Sequence, residues 1–334
     1  MLNFLSTILF PLSTNTPTKA SHSPFSTVTI SLMQSLTHQN LTWHNLIGPT
    51  PEDLNELQKK YQFHELDIED CLSEQERPKI DEYEDYLFLV LHIPYFKKES
   101  RRIVKEEIHI FVGDNYIITL HDGKLDVLNQ FWEFLQKEDK QKEYLGEGTG
   151  YFLYELISVL FDSGFPLVDG INKQLRSLEE ILFEEEREEK VLRTILELKR
   201  SIISMRRILL PQRTLVAALE HKSKRFIDEE LDVYFDDVLD AIERQWSLLE
   251  TAKEVIEALQ DSHESWIQNK TNRIIRLLTV FSVIMLPLTV VTGMFGMNVP
   301  FPGANDPWAF FGIIAVLFLI MIGAIAYFAW RKWL

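Results

Sequence analysis

The chain has 334 residues, with 34 Lys and Arg against 50 Asp and Glu, and its net charge of −16 excludes a nucleic-acid surface spread over the whole chain. Hydrophobic residues at 46% and charged residues at 25% exclude a collagenous, low-complexity or wholly disordered chain, and the length suits about two domains. The single cysteine, Cys71, excludes an internal disulfide framework and a multi-cysteine zinc site, and fits a reducing compartment. The mean hydropathy of −0.06 is that of a soluble protein, yet the average conceals segregation, because the apolar excess sits in roughly the last sixth of the chain.

Residues 1–26 begin MLNFLSTILFPL and continue with Ser, Thr and Pro but without a basic n-region, so they read as a disordered extension or an upstream start rather than a signal peptide. Strand-like runs follow at Thr27–Leu32, Tyr86–Ile93, Glu107–Val112 and Tyr116–Leu120, and Gly113-Asp114-Asn115 is a hairpin turn. Between them, Pro51–Tyr61 reads as a helix capped by Thr50, with Glu52, Asp53 and Glu56 near its first turn. Residues 27–145 therefore form an α+β domain. From Gly150 the pattern turns helical. A stripe through Leu153, Ile157, Leu160, Phe161, Leu175, Leu178 and Ile181 resumes at Leu192, Leu196, Ile203 and Leu209, which predicts an antiparallel helical pair over 150–227. Its tip, Glu184–Glu189, is either a solvated helix end or a surface for cations or a basic partner.

After Pro211 and a polar link at Lys222, a further pattern starts at Asp228 and contains no proline until Pro287. Continued into an apolar span at about 277–296, it makes a stalk helix over 228–296, on the order of 100 Å long, which calls for lateral packing against other copies of the chain. Leu277–Phe295 and Trp308–Trp330 are uncharged and long enough to cross a hydrocarbon core of roughly 30 Å. Lys270, Arg273 and Arg276 precede the first span and Arg331 and Lys332 follow the second, whereas the 297–307 connection has no Lys or Arg. The positive-inside rule then puts both ends of this multi-pass chain, including the 331–334 tail, in the cytoplasm of an inner-membrane protein. Trp308, Trp330 and Trp333 sit where an aromatic belt belongs.

Alternate steps of three and four along the stalk give Asp261, Ser265, Gln268, Asn272, Ile275, Thr279, Ser282, Leu286, Thr289 and Gly293. Two readings fit such a polar and small stripe: the lining of a symmetric aqueous pore with apolar constrictions, or close helix packing through small residues. No GxxxxGK[ST], HExxH or GxSxG is present, and GEGTG at Gly146–Gly150 lacks a phosphate-holding lysine, so the chain does not read as an enzyme and needs no organic cofactor.

The first span runs directly into Gly296-Met297-Asn298. That triplet closes the first of two C-terminal helices behind a long acidic region. With TWHN at Thr42–Asn45, IEDCL at Ile68–Leu72, QERPKIDEYEDYLFLVL at Gln75–Leu91, QNKTN at Gln268–Asn272, MLPLTVVTGMFGMN up to Asn298 and the RKWL terminus, it resembles the CorA family of magnesium channels. The resemblance implies a funnel-shaped homopentamer in membrane lipid, whose first membrane helices line one pore for Mg²⁺, with Co²⁺ and Ni²⁺ as further cargo. It implies that Gly296, Met297 and Asn298 meet the hydrated ion at the outer mouth, that Thr289 forms a hydroxyl ring, and that Asn272 and Asp261 form polar rings at the cytoplasmic end. Ile275 and Leu286 match the hydrophobic constriction, and Asp70 and Asp237 match carboxylates that hold a regulatory Mg²⁺ between neighbouring subunits. Two departures stand out: only Asp306 is acidic in the VPFPGANDPW loop, and Ile275 and Leu286 replace methionines of some relatives. A zinc transporter of the same superfamily and a non-conducting membrane scaffold are the alternatives.

Overall fold

The computed structural model describes residues 32–73, 76–184, 188–221, 225–297 and 307–331. A six-stranded mixed sheet leads the chain, formed by β1 (Leu32–His38), β2 (Leu41–Ile47), β3 (Lys79–Glu82), β4 (Leu87–Lys97), β5 (Arg102–Val112) and β6 (Tyr116–His121) in the order β1-β2-β6-β5-β4-β3. Among these strands only β2 and β6 run parallel, and the helices α1 (Pro51–Tyr61) and α2 (Glu65–Leu72) lie in the chain between β2 and the later strands. The continuous apolar run of β4 follows from burial on both faces. Leu87, Leu89, Leu91 and Ile93 join the large core, while Phe88 and Val90 join a second core with Leu54 and Leu57 of α1 and Ile68 of α2.

Three strands carry too weak a pattern to be read in the sequence. The TWHN segment lies in β2, where Trp43 is fully buried against Phe131 and Phe152 and donates its indole N–H to Thr119 Oγ1 at 3.1 Å. β3 is a four-residue polar edge strand, and β1 starts at the last residue of the expected Thr27–Leu32 strand, whose remainder lies outside the described residues. β4 and β5 also pair out to Lys97 and Arg102, beyond their apolar segments, because a hairpin extends its ladder through charged ends that bear no hydrophobic period.

α3 (Asp126–Phe134) and α4 (Glu138–Leu145) lead to α5 (Thr149–Asp162), α6 (Phe165–Ile181) and α7 (Glu188–His221). α5 is long and apolar enough to resemble a span when joined to α6, yet 67% of that stretch is buried within the protein, against 6% for each C-terminal span. The chain breaks between α5 and α6 at Gly164, where Pro166 starts the new helix. α7 passes through Pro211 without ending. Its buried face is Val191, Ile195, Leu198, Ile202, Met205 and Leu209; of the expected stripe Leu209 is buried, whereas Leu192, Leu196 and Ile203, each one residue past a buried position, are exposed. The buried row stays apolar at seven-residue spacing, Val191, Leu198 and Met205, whereas the row through Leu192 continues as Lys199 and Arg206, so the first packs inward, α7 lying against the stalk.

A 3₁₀ turn at Glu229–Leu231 precedes α8 (Asp232–Phe295), so the long helix begins four residues after Asp228. At 64 residues it spans about 96 Å. α9 (Pro307–Trp330) packs back on it. Leu278, Phe281, Leu286, Phe311, Leu319 and Ile322 of these two helices stand exposed in a single chain. At about 2 kcal/mol per large side chain, leaving even these six in water costs on the order of 10 kcal/mol, comparable to the whole stability of a domain. Lipid or other copies of the chain must cover them.

Candidate ion pathway and carboxylate sites

α8 presents Asp261, Gln268, Asn272, Thr279, Ser282, Thr289 and Gly293 on its surface, with Ile275 and Leu286 exposed by 54% and 66%. None of these is used to pack the chain's own core. The hydroxyls are polarised in one sense. Thr279 Oγ1 donates to the Ile275 carbonyl at 2.8 Å, Ser282 Oγ to Leu278 at 2.8 Å and Thr289 Oγ1 to Met285 at 2.9 Å. With each proton turned back onto the helix, what faces outward is an oxygen lone pair. Pro287 adds another acceptor, because it has no N–H to give the Val283 carbonyl. A dication with its water shell presents only O–H donors, so a face of acceptors is the chemical complement of such an ion.

α8 ends at Phe295, and the N–H groups of Gly296 and Met297 bond back to the carbonyls of Thr292 and Met294 at 2.9 and 3.3 Å. Gly296 has φ −79°, so the turn does not demand glycine, and a Cβ there would make only ordinary contacts with its own chain, the nearest being the Thr292 oxygen at 3.4 Å. Met297 is 60% exposed, and Asn298 lies outside the described residues.

In the cytoplasmic domain, α2 carries Asp67 and Asp70 one turn apart, and β3 brings Asp81 to them, so that one oxygen of each lies within 4.8 Å of the others. Lys79, next to them on β3, holds Asp70 Oδ2 and Asp81 Oδ2 at 2.5 Å each and is itself pushed upward in pKa by those two partners, against the opposing effect of its burial. Asp67 is fully buried, and burial raises its carboxyl although the Tyr86 and Tyr83 hydroxyls donate to it at 2.6 and 3.2 Å. Asp67, Lys79 and Asp81 carry no sequence signal beyond the acid-rich run HELDIED at His64–Asp70. Asp237 lies elsewhere, exposed on α8 in a cleft lined with Asp240, Glu243, Arg244 and Ser247. Burial and the Asp237 charge raise the neighbouring Asp162 carboxyl, with Arg244 opposing. Asp70 thus belongs to the α2–β3 cluster and Asp237 to the α8 cleft, and no contact among the described residues joins the two.

A sheet domain joined to a helix that continues into one of two apolar spans, with a face of acceptors along that helix, defines a membrane transport protein for small ions. The chain belongs to the CorA family: the family model described as CorA-like Mg²⁺ transporter protein matches residues 38–332. The cobalt/magnesium transport protein CorA of Thermotoga maritima is 29% identical over 295 residues, which cover 88% of this chain and 83% of that protein. The complete structure of the CorA magnesium transporter from Methanocaldococcus jannaschii superposes with a TM-score of 0.78 at 23% identity, over 90% of this chain and 94% of that one. The ZntB cytoplasmic domain from Vibrio parahaemolyticus shares the fold at TM-score 0.55 and 15% identity, over 70% of this chain and 90% of that one. The chain is accordingly a divalent cation transporter of the CorA family and not an enzyme.

Proposed function

We propose that the chain is one subunit of a homopentameric Mg²⁺ channel, with Co²⁺ and Ni²⁺ as further cargo, in which the polar face of α8 lines the pore. The observation that carries this reading is the polar and small stripe of α8 from Asp261 to Gly293, with Ile275 and Leu286 as its apolar members, on a face that its own chain leaves uncovered. Asn298 amides and carbonyls at Gly296 and Met297 meet the ion with its water shell at the outer mouth. Thr289 continues the acceptor path, Leu286 and Ile275 form apolar constrictions that close by dewetting, and Asn272 and Asp261 line the cytoplasmic end. The side-chain-free Gly296 lets neighbouring helices approach at the mouth. Both termini lie in the cytoplasm, on the side of Lys270, Arg273, Arg276 and Arg331.

Gating follows from separation of the two carboxylates within one chain. A cytoplasmic Mg²⁺ joins Asp70 of one subunit to Asp237 of the next, screens the acidic interface and favours the closed state; depletion lets like charges repel and the stalks part. Flux into proteoliposomes tests the reading. Mg²⁺, Co²⁺, Ni²⁺ and Zn²⁺ uptake should be compared with and without a proton gradient, for the wild type, Asn298→Ala, Thr289→Val and Asp237→Lys. Mg²⁺ uptake that falls by at least tenfold in Asn298→Ala, falls less in Thr289→Val, and loses its inhibition by internal Mg²⁺ in Asp237→Lys is the expected pattern, a tenfold loss being about 1.4 kcal/mol. Zn²⁺ uptake without Mg²⁺ flux would make the protein a zinc transporter, and no flux at all would make it a scaffold.

A further inference from the structure

α7 carries a second apolar row that its own chain leaves uncovered. Leu196, Ile203 and Leu210 repeat at seven residues, as the buried row from Val191 does, yet they stand 48%, 52% and 50% exposed. Such a repeat on a helix surface is the pattern that packs against another helix. The row borders the stalk. Lys270 with Glu188, Gln260 with Lys199, Glu250 with Arg206 and Glu243 with Arg213 join α8 to α7 at 2.6–2.8 Å. These pairs make the two helices antiparallel and put Ile203 at about the height of Glu254. At about 100° per residue, the apolar row lies roughly 60° round α7 from Lys199, Arg206 and Arg213, and Arg200 and Arg207 lie roughly 60° beyond it. Both of these arginines are exposed and pair with no acid among the described residues. Charge is divided between the helices: Lys190–Arg213 holds seven cations and one acid, whereas Asp232–Glu264 holds ten acids and two cations. An apolar row edged by unpaired arginines suits an acidic helix as partner.

We propose that the Leu196, Ile203 and Leu210 row docks on α8 of a second copy of this chain, a contact that rests on the homopentamer proposed above. Thr251 and Ala258 directly follow Glu250 and Glu257, so they lie about 100° round α8, on the flank turned away from its own α7, and both are exposed. Their short side chains leave the holes that leucine and isoleucine knobs fill. With the row on one flank of the stalk and its complement on the other, the contact is head-to-tail, and rotation about an axis along the stalk closes it into a ring. Such a rotation preserves height. Ile203 then meets Thr251 and Ala258 of the next subunit, which lie either side of Glu254, and Arg200 and Arg207 reach Glu254 of that subunit from its two sides. The contact ties α7 of one subunit to the stalk of the next, so that neighbouring stalks move together.

Cysteine cross-linking of the full-length protein in detergent tests the contact. In a Cys71→Ser background, Ile203→Cys combined with Ala258→Cys should, on mild oxidation, give a ladder of covalently joined subunits on a non-reducing denaturing gel, since a disulfide forms only where two Cβ atoms come within about 4 Å. Neither Ile203→Cys nor Ala258→Cys alone should give it, because a head-to-tail contact does not bring a residue onto its own copy. Arg200→Glu with Arg207→Glu should cut the ladder severalfold, and adding Glu254→Arg should restore it. Light scattering on the wild type and on the same variants reports the assembly independently. An oligomer of undiminished mass without a ladder, a ladder equally strong from either single cysteine, or a ladder indifferent to the arginine charges would overturn the contact and leave the pentamer standing. A wild type that scatters as single chains would remove the pentamer and the contact together.

Discussion

Gly164→Ala tests the joint between the sheet-domain helices and the stalk. Gly164 has an ordinary φ of −74°, so alanine meets no backbone strain there. What opposes it is space: an added Cβ would stand 2.1 Å from Gln245 Oε1, 3.0 Å from Gln245 Cδ and 3.2 Å from Met205 Cε. Gln245 cannot simply turn away, because it is fully buried on α8 and its Nε2 donates to the Phe161 carbonyl at the end of α5 at 2.8 Å. Moving it strands a buried amide, at about 1–3 kcal/mol, and crowds the core around Met205, at about 1–3 kcal/mol. Alanine returns about 0.5–1 kcal/mol through the unfolded chain. The net loss is about 2–4 kcal/mol, or roughly 5–12 °C in Tm for a domain of this size. Thermal unfolding of the full-length protein in detergent, followed by circular dichroism, measures it. Adding Gln245→Ala removes the clash, so the double variant should be more stable than the sum of the two single losses. An unchanged Tm in Gly164→Ala, or strict additivity in the double variant, would refute the reasoning.

Two further outcomes are expected. His121 is buried, and desolvation pushes its pKa down to about 4, while its Nδ1 accepts from the Gly123 N–H at 3.0 Å and its Nε2 faces Asn45 Oδ1 at 3.0 Å. Its folded pKa is depressed below an unfolded value near 6.5, so the stability it contributes is complete above about pH 6.5 and is lost as pH falls towards 4, on the order of 3 kcal/mol in all. Denaturant melts at pH 7 and pH 4.5 should show a smaller drop in His121→Gln; an equal drop would remove His121 as the cause. Lys79→Met frees Asp70 and Asp81 of the ammonium that pairs with both. Internal Mg²⁺ should then inhibit uptake at a severalfold lower concentration, because the ion no longer displaces a resident cation. A half-inhibiting concentration that stays the same or rises would show that Lys79 does not compete there.

Much of the architecture was legible in the chain because it depends on strong one-dimensional signals. An uncharged run such as Leu277–Phe295 can lie only in lipid or a core, and a pattern that holds no proline between Asp228 and Pro287 continues as one helix, whose described course is Asp232–Phe295. The family motifs were likewise contiguous strings. Features decided by one turn of a helix or by a neighbour distant in sequence were not. Leu192 and Val191 are equally apolar taken singly, and only the row at seven-residue spacing separates them, Val191 recurring as Leu198 and Met205 and Leu192 as Lys199 and Arg206. Nothing along the chain marks Gly164, yet its missing side chain leaves room for Gln245, 81 positions away.

The same division runs through the sites. Composition and the segregation of charge from the apolar end were enough to place two membrane spans, since solvation of the side chains acts along the chain itself, and the resemblance carried by the ordered motifs implied divalent cation transport. Tertiary structure alone brought Lys79 between Asp70 and Asp81 and set Gln245 of α8 against Gly164. Those arrangements depend on strand register and helix rotation, and a single step in either would carry the same residues to the opposite face.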